Sequence, residues 1–167
     1  MNNFLRVITI TLLAFSLYAC GGAHHKIATP PQNIPTLKQV KILSVEVNSE
    51  EDSADALSLN EQWKKLATDE LQTLLASKSI MVMDDCDLTV GCRIDVAYGN
   101  RALRYIVGFG AGKGHMSVIV ELKDKHGSVL YATNSEADLA MGAFGGDMSQ
   151  VAKNTIVEAI KEFGARL

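Results

Sequence analysis

The residues whose types and order point most directly to chemistry are Leu17, Ala19 and Cys20, which close an apolar segment near the start of the chain. Arg6 and the free amino group precede this segment, in the order typical of an export signal. The segment is shorter than the about 20 apolar residues that a membrane-spanning helix needs. An ordinary signal-peptidase site takes small residues at both flanking positions, whereas Leu17 is bulky. Soluble export and a retained membrane helix are therefore the weaker interpretations, and Cys20 is the candidate for modification.

The leucine and the small residue before Cys20 resemble the lipobox of bacterial lipoproteins. This resemblance implies that the Cys20 thiol receives a diacylglycerol, that residues 1–19 are cleaved off, and that the new amino group is acylated. Two or more acyl chains anchor a protein stably, whereas one chain holds it only marginally. Gly21, in place of an aspartate, resembles the sorting pattern of enterobacterial outer-membrane lipoproteins. We therefore expect a lipid-anchored, periplasm-facing protein at the cell outer membrane of a Gram-negative envelope.

A glycine-rich stretch, 108–114, contains one lysine and is the second candidate for chemistry. Phosphate-binding P-loops begin with a glycine where this chain has Val107, and place Ser or Thr after the lysine where this chain has Gly114. They also lead into a helix, whereas a strand pattern follows here. Glycines that let a strand edge bend or bulge are the simpler interpretation; a loop that contacts a partner, a ligand or a membrane is the functional one. The residues assigned to this candidate loop are Arg101, Arg104, Gly108, Gly110, Gly112 and Lys113.

Cys86 and Cys92 are the third candidate, a disulfide, because lipidation of Cys20 would leave an even pair in an oxidising compartment. In an extended chain their Cα atoms would lie about 20 Å apart, whereas a disulfide requires less than about 7 Å. A bridge therefore requires 87–91 to turn back. Otherwise both thiols stay reduced, with one of them in the core. The sequence leaves both alternatives open.

No pattern indicates a metal site, a cofactor or an enzyme. Asp84, Asp85 and Asp87 lack the order and closing glutamate of a calcium-binding EF-hand, and a solvated turn explains them. Neither H-E-x-x-H nor G-x-S-x-G occurs. Removal of Arg6 with the signal changes the formal charge from −3 to −4. That balance argues against nucleic-acid binding, which needs a basic surface.

Two regions follow the signal. All three prolines lie within residues 20–38, which we predict to be a flexible, lipid-anchored tether of at most about 60 Å when fully extended. Residues 39–167 are long enough for one domain with its own core. Apolar residues alternate over 88–98 and 116–123, as in strands with one buried face. Residues 124–127 are expected to form a turn, with Gly127 available for a positive φ, before a strand over 129–135.

The expected element order is β-α-β-β-β-β-α, an α+β domain with one mainly antiparallel sheet and two helices packed on one face. Ser58 and Glu61 fit a capping box at the start of the first helix. A first strand is expected over 40–47 and a short, fully apolar second strand over 80–83, and the order strand, helix, strand suggests a parallel crossover. Asp147 is expected to begin the last helix and Gly164 to end it. The expected buried stripes are Trp63, Leu66, Ala67, Leu71, Leu74 and Leu75 in the first helix, and Met148, Ala152, Ile156, Ala159, Ile160 and Phe163 in the last.

Over about 37–165 the chain resembles a family of small bacterial lipoproteins known only as a domain of unknown function (type 4410). The resemblance implies a lipid-anchored α+β domain, loosely similar to the amino-terminal domain of the Tol-system translocation protein and to curli-type secretion lipoproteins. It implies no catalytic residues, and the Cys86–Cys92 pair departs from its pattern. The residues that carry it are Asp87-Leu88, Gly91, Gly99, Arg101, Gly108-x-Gly110-x-Gly112, Asp124-x-x-Gly127 and Gly145-Gly146.

These observations favour a non-enzymatic envelope lipoprotein that acts through protein contacts in envelope assembly or maintenance. Its open sheet face, its strand edges and the 108–114 loop are the expected contact surfaces. Self-association is compatible with this expectation. The alternative is a small-ligand or metal-binding lipoprotein that uses the 108–114 loop or the acidic residues at 84–87.

Overall fold

The structure is a computed structural model that describes residues 24–30, 36–97, 114–139 and 148–167. These residues form an α+β domain, as predicted, with a seven-stranded mixed sheet and two helices. Within the described ranges, neither helix is long and apolar enough to cross a membrane. The elements are β1 (His24–Thr29), β2 (Gln39–Ile42), β3 (Glu46–Ser49), α1 (Ala54–Ser77), β4 (Met81–Val82), β5 (Thr89–Ala97), β6 (Gly114–Lys123), β7 (Val129–Leu139) and α2 (Met148–Gly164).

The sheet order is β1-β7-β6-β5-β2-β4, with β3 also paired to β5. The pairs β1–β7, β6–β7 and β5–β6 are antiparallel. They include the three longest described strands, β5, β6 and β7. The pairs β2–β4, β2–β5 and β3–β5 are parallel. Since α1 connects the β2–β3 region to β4, the parallel pairing of β2 with β4 agrees with the expected strand–helix–strand crossover.

Two strands differ from the sequence prediction. The predicted strand over 40–47 is divided into β2 and β3, because the register moves from Ile42 opposite Val90 to Glu46 opposite Arg93. Between these two pairs the chain advances four residues from Ile42 to Glu46, but only three residues on β5, from Val90 to Arg93. One extra residue on one of two paired strands is a β-bulge. In addition, β1 lies within 20–38, the predicted tether, and pairs with β7. Its partner is the outer edge of β7, whose backbone groups it covers.

The first helix begins earlier than predicted. Ser53 is its N-cap, and the Ser53 hydroxyl oxygen accepts a hydrogen bond from the Ala56 amide at 3.3 Å. The predicted capping box at Ser58 and Glu61 is therefore wrong, since both residues lie inside α1. Either serine can cap a helix. Helical geometry is tolerated by all four residues between the two serines, 54–57. The helix therefore begins after Ser53 and not after Ser58.

The helices pack on one face of the sheet, around a single core. The predicted stripes are confirmed for α1, with Leu66 and Leu74 only partly buried, and for the described side chains of α2. Tyr131 of β7 stacks on Phe163 of α2, with ring centroids 5.2 Å apart, and its hydroxyl donates to the Glu162 carbonyl at 3.5 Å. Burial raises the pKa of Tyr131. The sheet contributes Val90, Cys92, Ile94, Val96, Met116, Val118, Val120, Leu122 and Tyr131 to this core.

The turn between β6 and β7 follows the sequence prediction. One carboxylate oxygen of Asp124 accepts hydrogen bonds from the amides of His126 and Ser128, at 2.8 and 2.9 Å. The Ser128 bond is the main reason that the pKa of Asp124 is lowered. Gly127 has a φ of 81°, a left-handed conformation that favours glycine. The local hydrogen bonds and this glycine together determine the turn.

Candidate functional site

Most residues of the predicted sites lie outside the described ranges. This applies to the lipidation residue and to the whole candidate loop. The residues concerned are Cys20, Arg101, Arg104, Gly108, Gly110, Gly112 and Lys113. The structure does describe Cys86, Cys92, the acidic residues at 84–87, and the strand that follows the candidate loop.

Cys86 and Cys92 are both free thiols in the structure. Cys92 lies in the core side of β5, where desolvation raises its pKa to about 12. Cys86 is half-buried, and its thiol donates to the Gln39 carbonyl oxygen at 3.2 Å. Pairing of the two thiols stays a prediction from the sequence. A thiol with such a high pKa is a poor nucleophile at neutral pH.

The sheet face opposite the helices is polar, and its side chains contact one another. Both carboxylate oxygens of Asp95 are occupied: Asn48 donates to one at 2.7 Å and the Arg93 guanidinium to the other at 3.1 Å. On the neighbouring strands, Ser117 donates to Asn134 at 2.9 Å. A polar face with this many internal hydrogen bonds is suited to water rather than to an apolar docking partner.

A pocket of about 310 Å³ opens on this polar face, at the end of the sheet where β3 and β5 finish and β6 begins. His115 lies on its rim, with Nδ1 3.6 Å from an Asp138 carboxylate oxygen. A Ser-His-Asp relay requires the serine to donate to the histidine, whereas Ser117 donates to Asn134. Six of its eight lining residues have polar side chains, but most of the lining surface is apolar carbon, so the pocket presents a mixed surface rather than a purely polar one. Its lining residues are Asn48, Ser49, Glu50, Asp95, Val96, Ala97, His115 and Ser117.

The part of the chain that the structure describes contains no group of three or more His, Cys, Asp or Glu side chains that could hold a metal ion. Asp84, Asp85 and Asp87 are exposed in the bend after β4. That exposure fits the solvated turn expected from the sequence.

An exposed apolar surface at β4 was not predicted from the sequence. Ile80 is buried, but Met81, Val82 and Met83 are 61%, 49% and 44% exposed, and Leu43 is 37% exposed. We call the last four residues the β4 edge patch. The register places Met81 beside Gln39 and Val82 beside Val40. Because side chains alternate along a strand, Met81, Met83 and Leu43 share the polar sheet face. Four consecutive apolar residues predicted a buried strand, and only the topology shows that the strand is terminal.

The backbone of β4 is also open on one side. The Met81 amide donates to the Lys38 carbonyl at 2.9 Å, and the Met83 amide donates to the Val40 carbonyl at 3.0 Å. These bonds direct alternate backbone groups toward β2. The amide and carbonyl of Val82, between them, consequently point to the outer edge. The β4 edge patch therefore combines apolar side chains with a backbone able to pair with another strand.

The fold and these surfaces define a small α+β domain with a polar sheet face and an exposed apolar edge. The chain belongs to the family described as Domain of unknown function (DUF4410), whose model matches residues 37–143. No curated protein matches the chain in sequence.

Several solved structures are similar to the chain. The PelC dodecamer from Paraburkholderia phytofirmans is 13% identical, with a TM-score of 0.54, and the match covers 87% of this chain and 100% of that chain. A single-residue variant of that PelC dodecamer is 14% identical, with the same TM-score of 0.54. A PDZ domain protein from Parabacteroides distasonis is 9% identical, with a TM-score of 0.49, and the match covers 90% of this chain and 39% of that chain. At such identities the PelC match establishes a common fold.

Proposed function

We propose that this protein is a lipid-anchored component of the cell outer membrane that faces the periplasm and acts without catalysis, through protein contacts in envelope assembly or maintenance. Cys20 carries the anchor in this proposal. The observation that supports the contact role is the β4 edge patch, because it joins exposed methionine and valine side chains to a strand edge beyond which no described strand lies.

The chemistry of the patch supports strand addition. Proteins usually protect edge strands with lysine, proline, a covering element or a very short strand. None of the residues Met81–Met83 is charged or a proline, and β4 itself is only two residues long. In strand addition the backbone hydrogen bonds provide affinity and alternate side chains provide specificity. By contrast, the polar face around Asp95 and Ser117 already satisfies its hydrogen bonds internally. We therefore assign the main contact to the edge rather than to the open face.

The PelC comparison supports self-association in particular. A protein of the same fold, matched over its whole length, assembles as a dodecamer. A lipid anchor favours such assembly, because it confines the copies to one surface and raises their local concentration.

The proposal is tested by crosslinking in intact cells, followed by membrane extraction and mass spectrometry. We expect a diacylglyceryl-modified Cys20 at the new N-terminus, and crosslinked species that include residues 81–85. The Cys20→Ser variant should lose the lipid and the membrane association. A protein that carries no lipid, or that stays an uncrosslinked monomer at every crosslinker length, would contradict the proposal.

A second candidate function, binding of a small ligand, is favoured by the pocket between Asn48 and His115. The 108–114 loop of the sequence prediction leads directly into Gly114 and His115, so loop and pocket belong to one region of the chain. A ligand at 100 times its Kd stabilises the folded state by about 2.7 kcal/mol. Thermal shifts with nucleotides, phosphorylated sugars and calcium test this. Asn48→Ala, which removes a pocket wall, should abolish any shift, whereas Leu57→Ala, on an exposed position of α1, should not.

A further inference from the structure

The two terminal strands of the described sheet run in opposite directions. β2 and β5 are parallel, and β4 is parallel to β2. β6 is antiparallel to β5, β7 to β6, and β1 to β7. β1 therefore runs antiparallel to β4. If a second copy lies beside the first in the same orientation, its β1 and the first copy's β4 run in the antiparallel sense, the commoner way for strands to pair. The registers place Thr29 level with Glu121 and Val82 beyond Lys123, so the second copy must also be displaced along the strands for β1 and β4 to overlap.

The charges near the two terminal strands are complementary. Asp84 and Asp85 follow the C-terminal end of β4 and are exposed. His24, His25 and Lys26 form the N-terminal end of β1. Antiparallel alignment brings the C-terminal end of one strand beside the N-terminal end of the other. With that displacement, Asp84 and Asp85 of one copy come beside segment 24–26 of the next, which carries Lys26, and opposite charges across a strand pair are stabilising.

We propose that the β4 edge of one copy pairs with β1 of the next copy, so that the sheet continues head to tail through the assembly. This inference rests on the proposed function and specifies its partner as a second copy of the chain. The contact is heterologous, because different surfaces of the two copies meet, and such contacts give closed rings or open filaments. It covers the apolar side chains of the β4 edge patch and pairs the outward amide and carbonyl of Val82.

The first test removes the outward amide. Because the inward hydrogen bonds of β4 come from Met81 and Met83, Val82→Pro deletes a donor that faces away from β2, a position where proline is tolerated. Val82→Ala is the matched control, since it shortens the side chain and keeps the amide. With the full, lipidated chain in detergent micelles, we expect Val82→Pro to lose the species larger than a monomer and Val82→Ala to retain most of them. Equal assembly of both variants would overturn the proposal.

The second test exchanges charges between the two edges. The Asp84→Lys/Asp85→Lys double variant and the Lys26→Glu variant should each assemble several-fold more weakly than the parent chain, because like charges then meet. Mixing the two variants in equal amounts should restore assembly, since every contact in an alternating array again joins opposite charges. Light scattering or native electrophoresis measures the result.

The outcomes separate this inference from the function on which it rests. If β4 of one copy instead pairs with β4 of another, the Lys26→Glu variant would assemble as well as the parent chain. That result would contradict the head-to-tail arrangement but would leave self-association supported. Crosslinks from 81–85 only to other envelope proteins would contradict the second copy as partner and still support a contact role. An uncrosslinked monomer in cells would contradict both.

Discussion

Gly164 offers a sharp test of how the two helices pack. It is the last residue of α2 and is buried. The sequence suggested a helix-ending glycine, but Gly164 does not adopt the left-handed conformation; in the described residues only Ser79 and Gly127 have a positive φ. A Cβ atom at position 164 would lie 2.9 Å from Leu74 Cδ2 and 3.1 Å from Leu74 Cγ, and would overlap Leu74 Cδ1. The glycine is therefore required by the close approach of α1.

The expected cost of Gly164→Ala is the difference between two effects. Overpacking in a dense interior costs about 1–3 kcal/mol. Replacing glycine by alanine in a helix recovers at most about 1 kcal/mol, and less at a helix end. Leu74 is partly exposed and can move away, which keeps the overpacking cost toward the lower end. We expect a net destabilisation of about 1 kcal/mol, or roughly 2–4 °C in Tm.

The assay is urea unfolding of the single variants and of the Gly164→Ala/Leu74→Ala double variant. Leu74→Ala removes the atoms that a new Cβ would meet, so in that background Gly164→Ala should be neutral or stabilising. The two effects should therefore be coupled by about 1 kcal/mol or more, as expected for residues in contact. Equal effects of Gly164→Ala in both backgrounds, or a stabilisation in the parent chain, would refute this account of helix packing.

Three further predictions concern single sites. Ser53→Ala should cost about 1 kcal/mol of stability through loss of the N-cap, whereas Ser58→Ala inside α1 should be near neutral in the same unfolding assay. Asp124→Ala should destabilise at neutral pH. The pKa of Asp124 is lowered on folding, so its contribution is present above the unfolded pKa of about 3.9 and is lost as the pH falls through the folded pKa; unfolding curves of the two proteins should converge in acid. Alkylation at pH 8 should label Cys86 in the native protein and Cys92 only after denaturation, because the pKa of Cys92 is about 12. Two thiols that react only after reduction would instead indicate a disulfide.

The strands and helices that pack against the core could be predicted from the sequence. Because one face of each is buried, apolar residues must recur along it at the spacing of a strand or a helix. β5 and β6 alternate between core and solvent, and the α2 stripe from Ala152 to Phe163 follows helical spacing. The Asp124–Gly127 turn was predictable for a different reason, since its hydrogen bonds are local. In these elements the residues themselves are sufficient to predict the local structure.

The remaining features depend on the topology. β1 has no clear apolar alternation, and it is a strand because β7 provides an edge for it. The run Ile80–Met83 looks like a buried strand, yet three of its four side chains are exposed since no described strand lies beyond it. Whether a strand is terminal cannot be read from its own residues. The β4 edge patch was therefore missed, and the open face, which the sequence suggested as a contact surface, proved to be internally hydrogen-bonded.

The pairing of β1 changes what the proposed anchor would do. Three residues separate Cys20 from His24, so a lipid on Cys20 would lie at most about 14 Å from the start of β1, not at the end of a long tether. His24 lies opposite Glu136, Glu136 opposite Ser117, and Ser117 opposite Asp95. Under the proposed lipidation, the end of the sheet near the membrane is thus the end that carries the pocket. A ligand for that pocket would then approach through the region of the lipid headgroups.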